Sequence, residues 1–284
     1  MKTNPYIKFP YQRDARIISR LQDDYEYLSE TYEVVGVFLF GSQNYKTDLP
    51  GSDFDVKAIV MPPVDRLILA SGEVNETHKR ENGELTVFDI WSLHKSIKKQ
   101  NVNFLEILFT EYYKLNPKYI NLWTEMRDYR ETIAHMNEYA AVECLNGCAK
   151  NKMDKVFKRV PSNEDRIDKV GYDYKAWADV LRFSEFIDRY TSGVSYIECL
   201  IPDEKYDKIM HTKSADYIYS PNEIQEDFTN MRMNLDFFMD QYRESHEPTL
   251  DHICNETIDR ITLNCVKAYL NERCYMEQWP VLSY

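Results

Sequence analysis

The 284-residue sequence contains no apolar run long enough to cross a membrane, and its first residues, MKTNPYIKFPYQRDAR, contain no signal-peptide core. Its six cysteines follow no repeated spacing, so no disulfide framework is expected. Cys144 and Cys148 are predicted to be buried or half-buried free thiols on one helix face. These absences exclude membrane-embedded and disulfide-rich secreted proteins. The cytoplasm is the expected location, with no membrane partner.

Several common motifs of catalysis are missing as well. The six histidines are dispersed without metal-ligand spacing, and no Walker-type Gly-rich loop is present. The formal net charge of −12 argues against a general nucleic-acid coat, although it leaves room for a local basic groove. Any chemistry must therefore come from another arrangement of side chains.

The pattern of apolar residues predicts an α/β (α+β) protein, in which a small mixed sheet with helices is followed by an all-helical region. Strands are predicted over 33–40, 52–61 and 83–91, and the polar stretch 71–82 is predicted to be a loop. The predicted helices cover 14–32, 93–100, 104–113, 117–137, 138–159, 171–190, 221–245 and 250–273. Composition changes near residue 115, which predicts a core domain over 1–115 and a helical domain over 116–284 that closes a cleft.

The stretch VVGVFLFGSQNYKTDLPGSDFDVKAI, residues 34–59, carries the most informative pattern. A strand leads into Gly41 and Ser42, where backbone amides approach an anion closely and a helix start would add its positive dipole end. Ten residues later a strand begins with Asp53 and Asp55, whose side chains should share one face.

Two carboxylates this close repel each other unless a cation lies between them, and hard oxygen ligands favour Mg²⁺ or Mn²⁺. We therefore predict a site for a triphosphate and two metal ions, suited to nucleotidyl transfer with an NTP as substrate.

This stretch resembles the signature of the nucleotidyltransferase superfamily that includes DNA polymerase beta: Gly-Ser, a gap of about ten residues, then Asp-x-Asp before an apolar strand. The segments QNVNFLEILFT and GYDYKAWADVLRFSEF resemble two further motifs of the RNA-repair-pathway polymerase-beta-like family often found in phages. Family-like features extend from about Val34 to Tyr190. The chain departs from the pattern at Lys46, where the family usually has glycine.

The resemblance implies roles for further residues. A third carboxylate should lie at or near the start of the next strand, and Glu84 matches that position better than the alternative, Asp89, which could simply cap a helix. Lys175 and Arg182, seven residues apart on one helix face, would contact the triphosphate. From the residues alone, this pair could equally be exposed and bridge to nearby acids.

The sequence leaves several alternatives for the group that accepts the nucleotide. An RNA or tRNA end fits the resemblance and the basic stretch Lys150–Arg159, which could line a groove but could equally be a solvated helix end. A protein or small-molecule hydroxyl, as in toxin or antibiotic nucleotidyltransferases, fits the acidic composition as well. A non-catalytic nucleotide-binding or partner-binding protein with this fold is the third alternative. Oligomeric state and NTP preference are not indicated by the sequence.

Overall fold

The computed structural model describes residues 10–69, 73–215 and 219–276. Its five-stranded mixed sheet has the strand order β3-β4-β2-β1-β5. The strands are β1 (Glu33–Phe40), β2 (Asp55–Met61), β3 (Asn75–Arg80), β4 (Gly83–Asp89) and β5 (Tyr113–Leu115). The predicted fold class, a mixed sheet with helices followed by a helical region, is confirmed.

Helices flank the sheet and make up the regular structure that follows it in the described part of the chain. They are α1 (Pro10–Ser29), α2 (Val64–Leu69), α3 (Ile90–Lys98), α4 (Val102–Leu105), α5 (Ile120–Asp128), α6 (Arg130–Ala134), α7 (Glu138–Val156), α8 (Glu164–Val170), α9 (Tyr174–Thr191), α10 (Tyr196–Leu200), α11 (Tyr206–Ser214), α12 (Pro221–Ser245) and α13 (His252–Met276). Short 3₁₀ turns cover Gly41–Gln43, Glu106–Leu108 and Pro117–Tyr119. The predicted domain boundary near residue 115 stays a prediction.

Several helix starts are determined by local side-chain chemistry. Asp173 caps α9 by accepting hydrogen bonds from the backbone amides of Lys175 and Ala176, at 3.1 and 3.2 Å. Ser220 and Glu223 form a reciprocal capping box at the start of α12, where Pro221 occupies the first turn.

Strand pairing places the candidate site at one edge of the sheet. β1 and β2 are antiparallel with Phe40 opposite Asp55, whereas β2 and β4 are parallel with Val56 opposite Leu85. The end of β1 and the starts of β2 and β4 therefore lie side by side. This arrangement brings the segment after Phe40 close to the acids that open the next strands.

The sheet separates two apolar cores. On one face, Ile17 and Leu21 of α1 pack with Val37 and Val56. On the other face, Phe38 and Ile59 belong to a larger cluster that continues through the helices as far as Tyr269. Side chains alternate along β2, so Phe54 and Val56 face α1 while Asp55 and Lys57 face the helices that follow the sheet.

Two strands were not predicted. β3 lies in the stretch predicted as a loop, whose described residues are 73–82, because the edge-strand sequence NETHKR has no apolar alternation and is identified only by its pairing with β4. β5 overlaps the end of the helix predicted over 104–113. There α4 and a 3₁₀ turn end at Leu108, and Tyr113–Leu115 pairs with β1.

The predicted second strand is also too long at its start. β2 begins at Asp55 rather than at Ser52, so Asp53 precedes the strand. The Cys144 and Cys148 thiols are free and half-buried, as predicted. Across the described residues, no helix combines the length and the apolar character that spanning a membrane requires.

Candidate active site

Three carboxylates lie near one another where β2 and β4 begin. Asp53 and Glu84 are exposed, and Asp55 is half-buried beside Gly41. Burial raises the pKa of the Asp55 carboxyl above its usual value, and the negative charges of Asp53 and Glu84 raise it further. The Glu84 backbone amide and the Lys57 ammonium lower that pKa only in part. The carboxylates are thus close enough to repel one another.

Gly83 makes this close approach possible. Its φ of +105° lies in a region that side-chain-bearing residues rarely adopt, and a Cβ atom there would lie 2.6 Å from the Phe54 carbonyl oxygen. The Phe54 amide donates to the Asn82 carbonyl oxygen at 3.1 Å, which ties the segment before β2 to the turn before β4. The backbone itself thereby places Asp53 and Asp55 next to Glu84.

The two candidates for the third carboxylate have different surroundings. Glu84 is close enough to Asp55 to affect its pKa. Asp89 lies at the other end of β4, roughly 16 Å away at the rise of a β-strand. Its buried carboxylate accepts hydrogen bonds from the amides of Ser92, at 2.7 Å, and Val74, at 2.8 Å. These positions favour Glu84 as the third acid and give Asp89 the role of helix cap.

Replacing Asp89 with alanine should therefore affect stability and leave the site intact. The change removes the cap of α3 and leaves the Val74 amide without its acceptor, so the free energy of unfolding should fall by about 1–3 kcal/mol. Urea unfolding measures this loss, and nucleotide affinity measured in parallel should be unchanged. A large loss of affinity in a folded variant would instead give Asp89 a role at the site.

The segment after β1 forms a 3₁₀ turn rather than the α-helix considered from the sequence. Gly41 has a φ of +81°, and its amide donates to the Glu106 carboxylate at 2.7 Å. The Gly41 amide is therefore occupied, contrary to the expectation that it faces an anion. Ser42, which is half-buried, and Gln43 follow in the first turn, where amides have no partner within the helix.

Glu106 organises this turn from within the protein interior. The carboxylate is buried and also accepts hydrogen bonds from the Asn44 side chain, at 3.3 Å, and from the Tyr45 hydroxyl. Lys57, whose ammonium donates to the Asn103 carbonyl oxygen and lies 3.7 Å from the centre of the Phe40 ring, carries a compensating charge nearby. Burial lowers the pKa of Lys57, while Glu106 and Asp55 oppose that change.

Arg182 of α9 approaches the same turn from the helical side. Its guanidinium carbon lies 3.9 Å from the centre of the Tyr45 ring and 4.2 Å from that of Phe183. The residue is only 6% exposed, yet among the described residues its buried Nε atom has no hydrogen-bond acceptor and no carboxylate forms an ion pair with it. Two aromatic faces thus hold a positive charge that no carboxylate neutralises directly.

Two further cations on this helical side of the site come from α9 and α11. Lys175, one of the predicted pair, is exposed on the first turn of α9, and Lys213 of α11 is half-buried. Asp179 forms an ion pair with Lys152 at 2.5 Å. Burial raises the pKa of Asp179, but Lys152 and Arg182 outweigh that effect, and the pKa lies below its usual value.

Lys46 retains the backbone conformation expected of the glycine that it replaces in the family pattern. Its φ is +57°, and its carbonyl oxygen accepts a hydrogen bond from the Tyr206 hydroxyl at 2.9 Å. A left-handed conformation costs a residue with a side chain about 1–2 kcal/mol. The turn is therefore preserved despite the substitution.

No group of three His, Cys, Asp or Glu side chains in the described ranges lies close enough together to hold a metal ion as the side chains stand. The acids nevertheless fit a divalent cation chemically, since they are oxygen ligands whose crowding raises the pKa of Asp55. Asp53 and Glu84 are exposed and have no side-chain hydrogen bond within the described structure, so their carboxylates are free to turn toward Asp55.

The basic stretch Lys150–Arg159 is largely neutralised. Lys150 pairs with Asp236 at 2.5 Å, Lys152 pairs with Asp179, and Arg159 pairs with Glu164 and Asp168. Lys155 and Lys158 are exposed and form no ion pair with the described part of the chain. A nucleic-acid groove at this place would depend on those two cations.

Four residues of the site had no role assigned from the sequence: Tyr45, Lys57, Glu106 and Lys213. Two of them, Lys57 and Glu106, could have been recognised from their sequence context. Lys57 interrupts the apolar strand DVKAIVM, and Glu106 is the only charged residue in NFLEILF. Charged residues in such runs are buried only with partners. Tyr45 and Lys213 stand in ordinary polar contexts, and tertiary packing alone brings them to the site.

One segment of the chain matches a known protein family. Residues 25–129 match the family described as "Nucleotidyltransferase domain". A nucleotidyltransferase-like protein from Exiguobacterium sibiricum 255-15 is similar to this chain at 12% identity and a TM-score of 0.31, with coverage of 92% of this chain and 81% of its own. No curated protein matches the sequence.

Proposed function

Because residues 25–129 carry a nucleotidyltransferase domain, we propose that the chain transfers a nucleoside monophosphate from an NTP to a hydroxyl group at an RNA or tRNA end and releases pyrophosphate. Asp53, Asp55 and Glu84 would hold two Mg²⁺ or Mn²⁺ ions. When bound, the ions would neutralise the phosphate oxygens and favour attack by the acceptor hydroxyl.

The observation that carries this proposal is the unpaired guanidinium of Arg182. A buried charge without a partner destabilises the free protein, so its presence indicates an anionic ligand that completes the pairing. Tyr45 links Arg182 to Glu106 and the Gly41 turn, so the anion would lie between α9 and the edge of the sheet. A triphosphate there would extend toward Ser42 and toward the carboxylates.

Each candidate site residue would have its own role in this reaction. Ser42 would hold the triphosphate from the sheet side, and Lys175 and Arg182 would neutralise it from α9. A bound cation would offset the negative charges of Asp53 and Glu84 that raise the pKa of Asp55, so the Asp55 carboxylate would be ionised and available as a metal ligand. Glu84 would complete the acidic set and orient the attacking hydroxyl.

An RNA end is the acceptor that we propose, on the basis of the resemblance to the RNA-repair-pathway family. The exposed cations Lys155 and Lys158 are positioned on the segment that ends α7 and could contact phosphates of a nucleic-acid strand. A protein or small-molecule acceptor remains the competing outcome of the assay below.

A transfer assay tests this function directly. Each of the four α-labelled NTPs is incubated with Mg²⁺ or Mn²⁺ and with either cellular RNA or soluble protein, and the Asp53→Asn/Asp55→Asn variant is run in parallel. Label should move to RNA with the intact chain and not with the variant. Label on protein would replace the proposed acceptor, and no transfer to RNA or protein despite NTP binding would indicate a small-molecule acceptor or a binding protein.

The control variant should remain folded. Since the pKa of Asp55 is raised in the folded state, its ionised form opposes folding, and that cost appears as pH rises through the interval between the unfolded and folded pKa values. At neutral pH the Asp→Asn variant should therefore be at least as stable as the parent. Thermal unfolding at neutral and acidic pH checks this, because the difference should shrink at acidic pH.

A further inference from the structure

The helix α11 lies against the proposed nucleotide site although it follows the family-like part of the sequence. It packs against α9, the helix of Lys175 and Arg182. The buried Tyr206 at its start donates a hydrogen bond to the Lys46 carbonyl oxygen in the loop between β1 and β2. α11 is thereby fixed to both sides of the cleft that would receive the triphosphate.

Lys213 in the last turn of α11 is a half-buried cation without a partner. Within the described residues its ammonium forms no hydrogen bond and no ion pair, although Asp179, Arg182, Asp48 and Lys175 are all near enough to influence it. Asp179 is already paired with Lys152, and the buried Asp48 has interactions of its own. Positive charge is therefore in excess around Lys213.

Charged groups from three segments of the chain lie near Lys213. Arg182 and Lys175 of α9 oppose its positive charge, while Asp179 of α9 and Asp48 of the loop before β2 favour it. On α11 itself, Lys208 is paired with Asp227 at 3.4 Å and His211 is exposed. Among these described residues, two single carboxylates face the positive charges of Lys213, Arg182 and Lys175, so a polyphosphate would supply the negative charge that is missing.

We propose that Lys213 is a third triphosphate-binding cation, which contacts the phosphate oxygens together with Arg182. This inference rests on the proposed function and extends the nucleotide site to a helix outside the matched domain. The contact would be made to the pyrophosphate part of the nucleotide, so an NTP would use it and an NMP would not. Three cations from α9 and α11 would then converge on one polyanion.

The charge of Lys213 should make nucleotide affinity depend on pH. Burial lowers its pKa to about 8, an effect that Arg182 increases and Asp179 opposes. A bound polyanion would raise that pKa again, so above pH 8 binding must be accompanied by uptake of a proton. Affinity should therefore be constant below pH 8 and fall as pH rises above it.

The test measures binding of α,β-non-hydrolysable analogues of ATP, CTP, GTP and UTP, and of the matching NMPs, by calorimetry with Mg²⁺ between pH 7 and 9.5. Lys213→Gln should weaken NTP binding about 10- to 100-fold at pH 7 and change NMP binding little. It should also abolish the fall in affinity above pH 8. Lys213→Arg, which stays charged, should restore the affinity and shift its decline to higher pH.

The matched control is Lys208→Gln, which removes the same charge from the same helix at an exposed, paired position. Its NTP affinity should equal that of the unmodified chain. If Lys213→Gln binds NTP as tightly as the unmodified chain, or loses NTP and NMP affinity equally, this inference is wrong and the proposed function stands. If the unmodified chain binds no NTP, the proposed function fails and this inference fails with it.

Discussion

Replacing Arg182 with methionine should abolish most of the activity and at the same time stabilise the free protein. Methionine preserves an apolar stem between the rings of Tyr45 and Phe183 but removes the charge. Loss of a buried donor group aimed at developing negative charge reduces turnover about 10²–10³-fold. We expect a decrease of that size in nucleotide transfer, with a parallel loss of NTP affinity.

The gain in stability has a separate cause. Desolvation of an unpaired buried charge costs several kcal/mol, whereas its contact with aromatic rings returns about 2 kcal/mol. Arg182→Met should therefore unfold at a higher temperature than the parent when no nucleotide is present. Added NTP should stabilise the parent and not the variant, which thermal unfolding with and without nucleotide measures.

Arg189 provides the control on the same helix. It is two helical turns further along α9, and its guanidinium donates to the Ile201 carbonyl oxygen at 2.8 Å. Arg189→Met should lower stability, because it removes that bond, and leave transfer unchanged. The idea that Arg182 awaits an anion would be abandoned if Arg182→Met lost stability and kept its activity.

Replacing Glu106 with alanine should give the largest loss of stability. The change leaves the Gly41 amide and the Tyr45 hydroxyl without their acceptor and removes the charge that compensates the buried Lys57. Removal of one partner from a buried charged pair costs about 3–5 kcal/mol. The free energy of unfolding, measured in urea, should fall by that amount, and transfer should fall with it because the turn beside Ser42 loses its anchor.

Two control variants separate the specific contribution of Glu106 to stability from the effect of removing any carboxylate. Glu111→Ala removes an exposed carboxylate five residues away and should change stability little. Glu106→Gln retains one acceptor oxygen of the same shape and should lie between the parent and Glu106→Ala. Equal stability of Glu106→Ala and Glu111→Ala would show that the Gly41 turn does not depend on this carboxylate.

The sequence was sufficient for the parts of the fold that local patterns encode. β1, most of β2 and β4 follow from β-branched and apolar runs, and the helix of Lys175 and Arg182 follows from its period and its Asp173 cap. The spacing of Asp53 and Asp55 in the sequence was enough to predict that the two carboxylates lie in one region. The positions of Asp89 and Glu84 within β4 were also visible, although only the sheet register separates a cap from a neighbour of Asp55.

What escaped prediction depends on contacts between distant segments. β3 has no apolar alternation of its own, β5 is only three residues long, and both exist through pairing with β4 and β1. The use of the Gly41 amide depends on Glu106, which is 65 residues away in sequence. Arg182 was predicted, but its position between two rings depends on Tyr45, and Lys213 required the packing of α11.

The larger apolar core has a consequence for dissecting the chain. The core is continuous from Val35 in the first strand to Tyr269 in the last described helix, and it passes through Trp123 and Trp177. A fragment that stopped at residue 129, the end of the matched domain, would lack Trp177 and Tyr269 and would expose the part of its own core that packs against the later helices. Such a fragment should aggregate when expressed alone, so the unit that evolution can move between proteins, or that an engineer can graft, is larger than the recognisable nucleotidyltransferase segment.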